Sequence, residues 1–257
     1  MPGDGQKMGL WIGAAWQKTW PNAPMIDCLG PAPYTQSVAN HSGINLNRNG
    51  ERFMNEDTIC SYAAISFMQQ PGMTIYFVWD SAYANWFDEW ATFGTTMAED
   101  NGPKPHNGAD ELANWEKSVE GNVFVKGNTI DEVLSQLDGI DAKTAAATIT
   151  RYTGYAEEGV DREYYKHKQY LAPIKTAPFY GYKLEVSPAQ LLCVTGGLRT
   201  NANMQVCDEN DEPIEGLYNV GIMTGDMYGN IYNFSIPGHN LGACCNTFPY
   251  LLGKELA

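Results

Sequence analysis

The sequence predicts an α+β fold in which a mixed α/β segment is inserted between two halves of one core domain. Three observations carry that prediction. Strand-like runs gather toward both ends of the chain, and helical patterns fill much of the middle. The 257 residues fit one large domain or two small ones. Hydrophobic residues make up 44% and charged residues 18%, enough apolar material for a packed core.

The elements follow in order. Residues 4–18 show helical spacing, with Met8, Leu10, Trp11 and Ala15 on offer to an apolar face. Residues 20–43 are rich in Pro, Asn and Gly and read as loop. Ile44 to Phe53 alternates around Asn49-Gly50, a hairpin signal. Thr58 to Gln69 suits a helix. Thr74 to Trp79 is rich in strand formers, and Asp80-Ser81 then caps a helix reaching Phe87. Residues 92–121 read as a polar, glycine-containing stretch. Two short helices are expected at Thr129–Leu137 and Asp141–Tyr155, the first opening on the capping box Thr129-Ile130-Asp131-Glu132. Strand character returns at Pro178–Val186, within Cys193–Cys207 and at Gly216–Val220. A last helix runs from about Gly242 to Leu256. There is no internal repeat.

Charge and composition exclude some functions. The net charge of −14 would be repelled by nucleic-acid phosphates and anionic membranes. No apolar run reaches the roughly 20 residues of a membrane span. No basic, apolar leader opens the chain, so a cytoplasmic location is expected, with a signal on a preceding part left open. Cys28, Cys60, Cys193, Cys207, Cys244 and Cys245 form no CxxC pair and read as buried thiols in a reducing compartment, with a disulfide framework as the alternative. His41, His106, His167 and His239 lack metal-ligand spacing, so no metal is expected. The acidic run Asp208-Glu209-Asn210-Asp211-Glu212 reads as a solvated turn.

Four segments, in order, resemble one flavoprotein family. Gly3-Asp4-Gly5 resembles a T-G-D-G turn. Gly43-Ile44-Asn45-Leu46-Asn47-Arg48-Asn49-Gly50-Glu51-Arg52-Phe53-Met54-Asn55-Glu56 resembles I-x-V-N-x-x-G-x-R-F-x-N-E. Pro178-Phe179-Tyr180, Thr195-Gly196-Gly197-Leu198 and Gly216-Leu217-Tyr218-Asn219-Val220-Gly221 resemble P-F-Y-A, T-M-G-G-L and G-L-Y-A-A-G-E. Pro237-Gly238-His239-Asn240-Leu241-Gly242 with Phe248-Pro249-Tyr250 resembles a closing P-G-x-x-x-L-G … F-G-Y. The chain thus resembles the C-terminal half of the FAD-dependent fumarate reductase, urocanate reductase and 3-ketosteroid dehydrogenase family. The resemblance implies a substrate cap domain at 41–177, flanked by parts of a Rossmann-like FAD-binding domain at 1–40 and 178–257. The N-terminal half of that domain, with its G-x-G-x-x-G pyrophosphate loop, has no counterpart here. The expected cofactor is FAD. The expected partners are a small-molecule substrate and the missing N-terminal FAD-binding half, without which the chain should be inactive.

The same resemblance implies site residues. Asp4, Gly5, Gly221, Asn240 and Leu241 would lie near the flavin or its ribityl chain, and His239 could face the substrate. Val78-Trp79-Asp80-Ser81-Ala82-Tyr83 resembles the cap turn F-D-D-S-x-R, so Tyr83 stands where fumarate reductases carry a proton-donating arginine. A phenol can donate a proton or polarise a ketone; the bland alternative packs Tyr83 among Trp79, Trp86, Phe87 and Trp90. Tyr232 is a second candidate hydroxyl. The family's carboxylate-binding histidine is replaced within Leu191-Leu192-Cys193-Val194, and its second carboxylate-binding arginine has no counterpart. Both losses argue against a small dicarboxylate and for a larger, less charged substrate, such as an aromatic or cyclic enone. Where the family has an acidic residue after Gly221, this chain has Ile222, with Asp226 as possible compensation. The enzyme reading is thus one part of an oxidoreductase moving a hydride to or from an activated carbon–carbon bond, as ene-reductase or ketone desaturase. The alternative is a truncated, non-catalytic binding module.

Overall fold

The computed structural model describes residues 3–19, 23–26, 43–58, 60–86, 107–186, 191–228 and 238–257. It separates into two compact units, Asp27–Gln190 and a terminal unit of Met1–Ile26 with Leu191–Ala257.

The middle unit is built on a four-stranded antiparallel sheet. Its strands are β2 (Ile44–Leu46), β3 (Thr74–Asp80), β4 (Val125–Gly127) and β5 (Phe179–Glu185), in the order β2-β3-β5-β4. All seven residues of β3 are buried, so both faces of the strand are covered. On one face Trp79 stacks on its cross-strand partner Tyr180 at 5.8 Å, and Phe77 on Tyr182 at 5.9 Å. Trp115 of α3 (Gly108–Glu120) and Phe67 of α2 (Cys60–Met68) close over these rings. On the other face α4 (Ile130–Gln136) lies over Gly181, where a Cβ would fall 2.8 Å from Val133. α5 (Ala142–Glu158) buries Ala145, Thr148, Ile149 and Tyr152.

Local chemistry explains these bounds. Thr129 caps α4 by accepting from the Glu132 N–H at 3.1 Å, while the Glu132 carboxylate accepts from the Asn128 N–H at 2.7 Å. Asp141 caps α5, which ends on Gly159 at φ +74°. The expected hairpin is a tight turn: Asn47 N–H donates to Glu51 O, the Asn47 side chain accepts from two further N–H groups, and Gly50 takes φ +76°. Beyond it only the Leu46–Arg52 bridge forms, because β2 pairs with β3 instead.

Several expectations change. The helix expected to reach Phe87 is a 3-10 segment, Ser81–Trp86. The polar stretch 92–121 contains α3, capped by Asn107, whose side chain accepts from Ala109 and Asp110 N–H. β5 pairs with β3 over seven residues and so belongs to the middle unit, which runs past residue 177 to Gln190.

The terminal unit holds α1 (Asp4–Trp11), the antiparallel pair β1 (Ala23–Ile26) and β6 (Leu191–Thr195), and the hairpin β7 (Gln205–Cys207) and β8 (Pro213–Tyr218). β1 lies inside the stretch expected to be loop. α1 stops well short of residue 18 because Gly13, at φ +94°, begins a Schellman turn. Ala14 N–H donates to Gly9 O at 3.0 Å and Gly13 N–H to Leu10 O at 3.2 Å. The acidic run forms the β7–β8 turn, in which Asp208 accepts from the N–H groups of Asn210 and Glu212. The final helix has two parts, a π-helical segment His239–Thr247 and α6 (Phe248–Leu256).

Candidate functional site

In the terminal unit the glycine motifs meet. Gly196 N–H donates to Ile222 O at 2.9 Å, and Leu198 N–H to Met223 O at 3.1 Å. Gln17 clasps the same loop: its N–H donates to Gly197 O at 2.8 Å, and its side-chain oxygen accepts from Gly197 N–H at 3.0 Å. A Cβ on Gly197 would lie 2.5 Å from Met223 O, so only glycine lets the two loops close. Thr195-Gly196-Gly197-Leu198 and Gly221-Ile222-Met223 are therefore one backbone-locked platform.

Of the expected cofactor residues, Gly221 belongs to this platform and Gly5 lies against its Met223. Asp4 is the exposed first residue of α1, 3.6 Å from Lys7 Nζ. A Cβ on Gly5 would touch Met223 at 3.0 Å. Gly221 is at φ +85°, and among the described residues the nearest atom on its Cβ side is Cys245 Sγ at 3.9 Å. Gly238, at φ +73° with none of the described residues within 4 Å of its Cβ position, opens the π-helical segment that carries His239, Asn240 and Leu241. π-helical turns recur at functional sites because they re-aim backbone groups. The His239 ring stands edge-on to Tyr228 at 5.1 Å, and Leu241 is 71% exposed. Asp226, the possible compensation for Ile222, is already engaged by the chain itself. Its carboxylate accepts from the N–H groups of Lys18 and Thr19 and from the Thr19 hydroxyl, contacts that hold its pKa below the usual range despite burial.

The middle unit holds Tyr83, with no accessible surface. Burial, then the neighbouring Tyr152 and Asp80, push its phenol well above the ordinary tyrosine pKa, and its hydroxyl is bonded to Tyr152. Asp80 anchors the turn that presents it, accepting from Ala82 N–H at 3.0 Å and from Lys175 and Thr176 N–H at 2.7 and 2.6 Å. This setting suits a packing residue; a proton donor must also meet substrate. Tyr232 lies outside the described residues, as do His41 and His106.

Behind Tyr152 lies a buried ionic cluster that sequence reasoning missed. The Arg52 guanidinium grips Glu56 at 2.7 Å and Asp161 at 2.9 Å, between the rings of Tyr152 and Tyr164. Lys166 Nζ donates to Gly43 O at 2.8 Å and to the Tyr152 hydroxyl at 3.3 Å, and sits 3.5 Å from Glu56. Burial pulls Lys166 down to about 8 against the attraction of Glu56. Burial alone would raise Asp161, but the Arg52 contacts bring it to about 2. Among the described residues no group of acids, histidines and cysteines is arranged to hold a metal, and no helix is long and apolar enough to cross a membrane. Cys207, Cys244 and Cys245 are free thiols.

The platform can be set beside known proteins. The FAD binding domain family model matches residues 1–235. The chain belongs to this family. FAD is accordingly its cofactor. The vinyl phenol reductase of Lactiplantibacillus plantarum is 26% identical over 200 residues, which are 77% of this chain and 39% of the relative. The 3-oxosteroid 1-dehydrogenase of Mycolicibacterium smegmatis is 27% identical over 284 aligned positions, 99% of this chain and 46% of the relative. The structure of 3-ketosteroid delta1-dehydrogenase from Sterolibacterium denitrificans shares the fold with a TM-score of 0.65 at 22% identity, covering 99% of this chain and 46% of that one. The chain thus spans less than half the length of these relatives.

The described residues fit one end of FAD. Among the described residues no side chain crowds the Cβ side of Gly221 or Gly238, as the approach of a flat ring or ribityl chain needs, and Gly238 precedes the first N–H groups of the π-helical segment. Nothing in the sequence provides the glycine-rich cradle for the pyrophosphate.

Proposed function

We propose that this chain is the substrate cap and part of the FAD site of an oxidoreductase that moves a hydride between flavin and an activated carbon–carbon bond. The observation that carries this reading is the locked glycine platform of residues 195–198 and 221–223, with no described side chain crowding Gly221, in a chain matched by the FAD binding domain family over 1–235. The named relatives, a vinyl phenol reductase and a 3-oxosteroid 1-dehydrogenase, support the bond type. FAD, when bound, supplies the redox chemistry. Asp4, Gly5, Gly221, Asn240 and Leu241 would border its flavin end. The N–H groups at the start of the π-helical segment would favour negative charge there. His239 would face the substrate. Tyr83 and Tyr232 are the candidate proton donors; burial holds the Tyr83 phenol well above its ordinary pKa, so it is protonated but a weak acid, and a donor role for it requires contact with substrate.

The loss of both carboxylate-binding groups supports an uncharged substrate. The test is co-production with the dinucleotide-binding half, followed by anaerobic reoxidation of reduced flavin with a vinyl phenol, a 3-oxosteroid dienone, fumarate and urocanate. Reoxidation by either uncharged compound is expected. Turnover of fumarate alone would overturn the substrate class. A second reading, a folded non-catalytic module, draws on the full burial of Tyr83; it requires that no flavin spectrum develop in the combined sample.

A further inference from the structure

One peptide group of the glycine platform is held at both of its polar atoms by side chains. The Gly196 carbonyl accepts from Gln6 Nε2 at 3.2 Å, and the Gly197 N–H donates to Gln17 Oε1 at 3.0 Å. These two atoms belong to the same peptide plane. The outer atoms of the pair are engaged as well: Gly196 N–H donates to Ile222 O at 2.9 Å, and Gly197 O accepts from Gln17 N–H at 2.8 Å. Gln6 and Gln17 lie 190 and 180 residues from the glycines they hold, so no local pattern joins them.

A peptide between two glycines needs such a hold. Neither flank carries a Cβ, and Gly196 and Gly197 stand at φ +122° and +157°, so sterics do little to keep the plane from turning over. Both glycines are buried, which makes an unpaired carbonyl or N–H costly. A turned plane would set the carbonyl against Gln17 Oε1 and the N–H against Gln6 Nε2, acceptor to acceptor and donor to donor. The Gln17 amide cannot swap its ends to follow, because its Nε2 donates to Thr19 O at 2.8 Å.

The hold reaches the expected cofactor residues. Gln6 sits on α1 next to Gly5, whose Cβ would lie 3.0 Å from Met223. Gly196 is bonded to Ile222, the residue after Gly221. The Gly196–Gly197 peptide therefore ties the start of α1 to the Gly221 turn. We infer that Gln6 and Gln17 are positioning residues for the flavin end of the cofactor: by fixing this one peptide they hold Gly5 and Gly221 in register, acting through the platform and not on FAD itself. This rests on the reading given under Proposed function and names the side chains that keep its site in shape.

Gly196-Gly197 is the one Gly-Gly pair in the sequence. In a full chain made with glycine labelled at its carbonyl carbon and its nitrogen, only the Gly197 nitrogen is bonded to a labelled carbonyl, so NMR reads this peptide alone. Wild type is compared with Gln6→Met, Gln17→Met and the double variant; methionine keeps the length and helix propensity of glutamine and removes the amide. Hydrogen exchange at the Gly197 N–H is expected to be slow in wild type and about tenfold faster in Gln17→Met. The Gly196 carbonyl shift is expected to move in Gln6→Met, with the circular dichroism of the chain unchanged. The FAD dissociation constant is then measured on each chain co-produced with the dinucleotide-binding half. Each single variant should weaken FAD binding by about 3- to 10-fold, and the double variant by no more than the worse single, since one peptide cannot be freed twice. Unchanged affinity in both single variants, or exchange at Gly197 as fast in wild type as in Gln17→Met, overturns the inference and leaves the proposed function standing. Losses that multiply in the double variant mean two independent packing effects and overturn the shared hold. Absence of flavin from the wild-type sample overturns the proposed function and this inference with it.

Discussion

Arg52 shows what a single buried cation demands. Its guanidinium is 1% exposed and faces two carboxylates, Glu56 and Asp161, that are just as deeply buried. Removing one partner would leave a charge without its counter-charge in a medium that cannot solvate it. Asp161→Asn is therefore expected to destabilise the middle unit by about 3–5 kcal/mol, read as a lowered urea midpoint. The pH dependence follows from the same contacts. The pKa of Asp161 falls from 3.8 to about 2 on folding, so its contribution is complete above about 4 and disappears as pH drops through 2. Lys166 runs the other way. Its folded pKa of about 8 lies below the ordinary 10.5, so between those values the unfolded chain binds more protons and stability from this group rises with pH. Urea melts of wild type and Lys166→Met at pH 7.5 and pH 10 should show their stability difference growing with pH; a constant difference would mean that Lys166 does not titrate in that window. Arg52 and Glu56 stand in one sequence motif, four residues apart. Asp161 and Lys166 lie more than a hundred residues further on, and no spacing rule connects them to it.

Elements were legible where their signals are local. The Thr129 and Asp141 caps, the β-rich run at β3 and the Asn49-Gly50 turn all rest on signals within a few residues, and each forms, although the strands expected to flank the turn meet only at the Leu46–Arg52 bridge. α1 was overextended because Ala14 and Ala15 continue a helical pattern that Gly13 has already ended. α3 was hidden because its cap, Asn107, sits among other loop formers. β1 was hidden because its strand character comes from pairing with β6, more than 160 residues away. The Asn49-Gly50 turn also bears on α5. A Cβ on Gly50 would meet the Ala145 nitrogen at 2.5 Å and Asp141 O at 2.6 Å, and φ is +76°. Both atoms are backbone and cannot swing aside. Gly50→Ala should cost about 2–4 kcal/mol through strain and overpacking, measured as a lowered melting temperature. An unchanged melting temperature would show that the turn can move off the α5 N-terminus.

At the scale of the whole molecule, the order of the glycine motifs was the informative signal. Thr195-Gly196-Gly197-Leu198 and Gly221-Ile222-Met223 are ordinary in isolation, yet they close on each other through hydrogen bonds that only glycine permits at residue 197. The carboxylate of Asp226, the possible acidic compensation, is engaged by Lys18 and Thr19, 208 and 207 residues away in sequence. The proposed flavin end of the site lies at the platform, while the pyrophosphate of a dinucleotide is held at a glycine-rich helix N-terminus, for which this sequence has no motif. The isolated chain should therefore fail to retain FAD on desalting. A ligand present at a hundred times its Kd adds about 2.7 kcal/mol of stability, which in a chain of this size would raise the melting temperature by roughly 5–10 °C. The melting temperature of the chain alone should stay flat as FAD is titrated to millimolar concentration, and should rise by that amount once the dinucleotide-binding half is present. A rise in the chain alone would mean that the glycine platform and the π-helical segment suffice to bind FAD, and that the second half serves catalysis instead of retention.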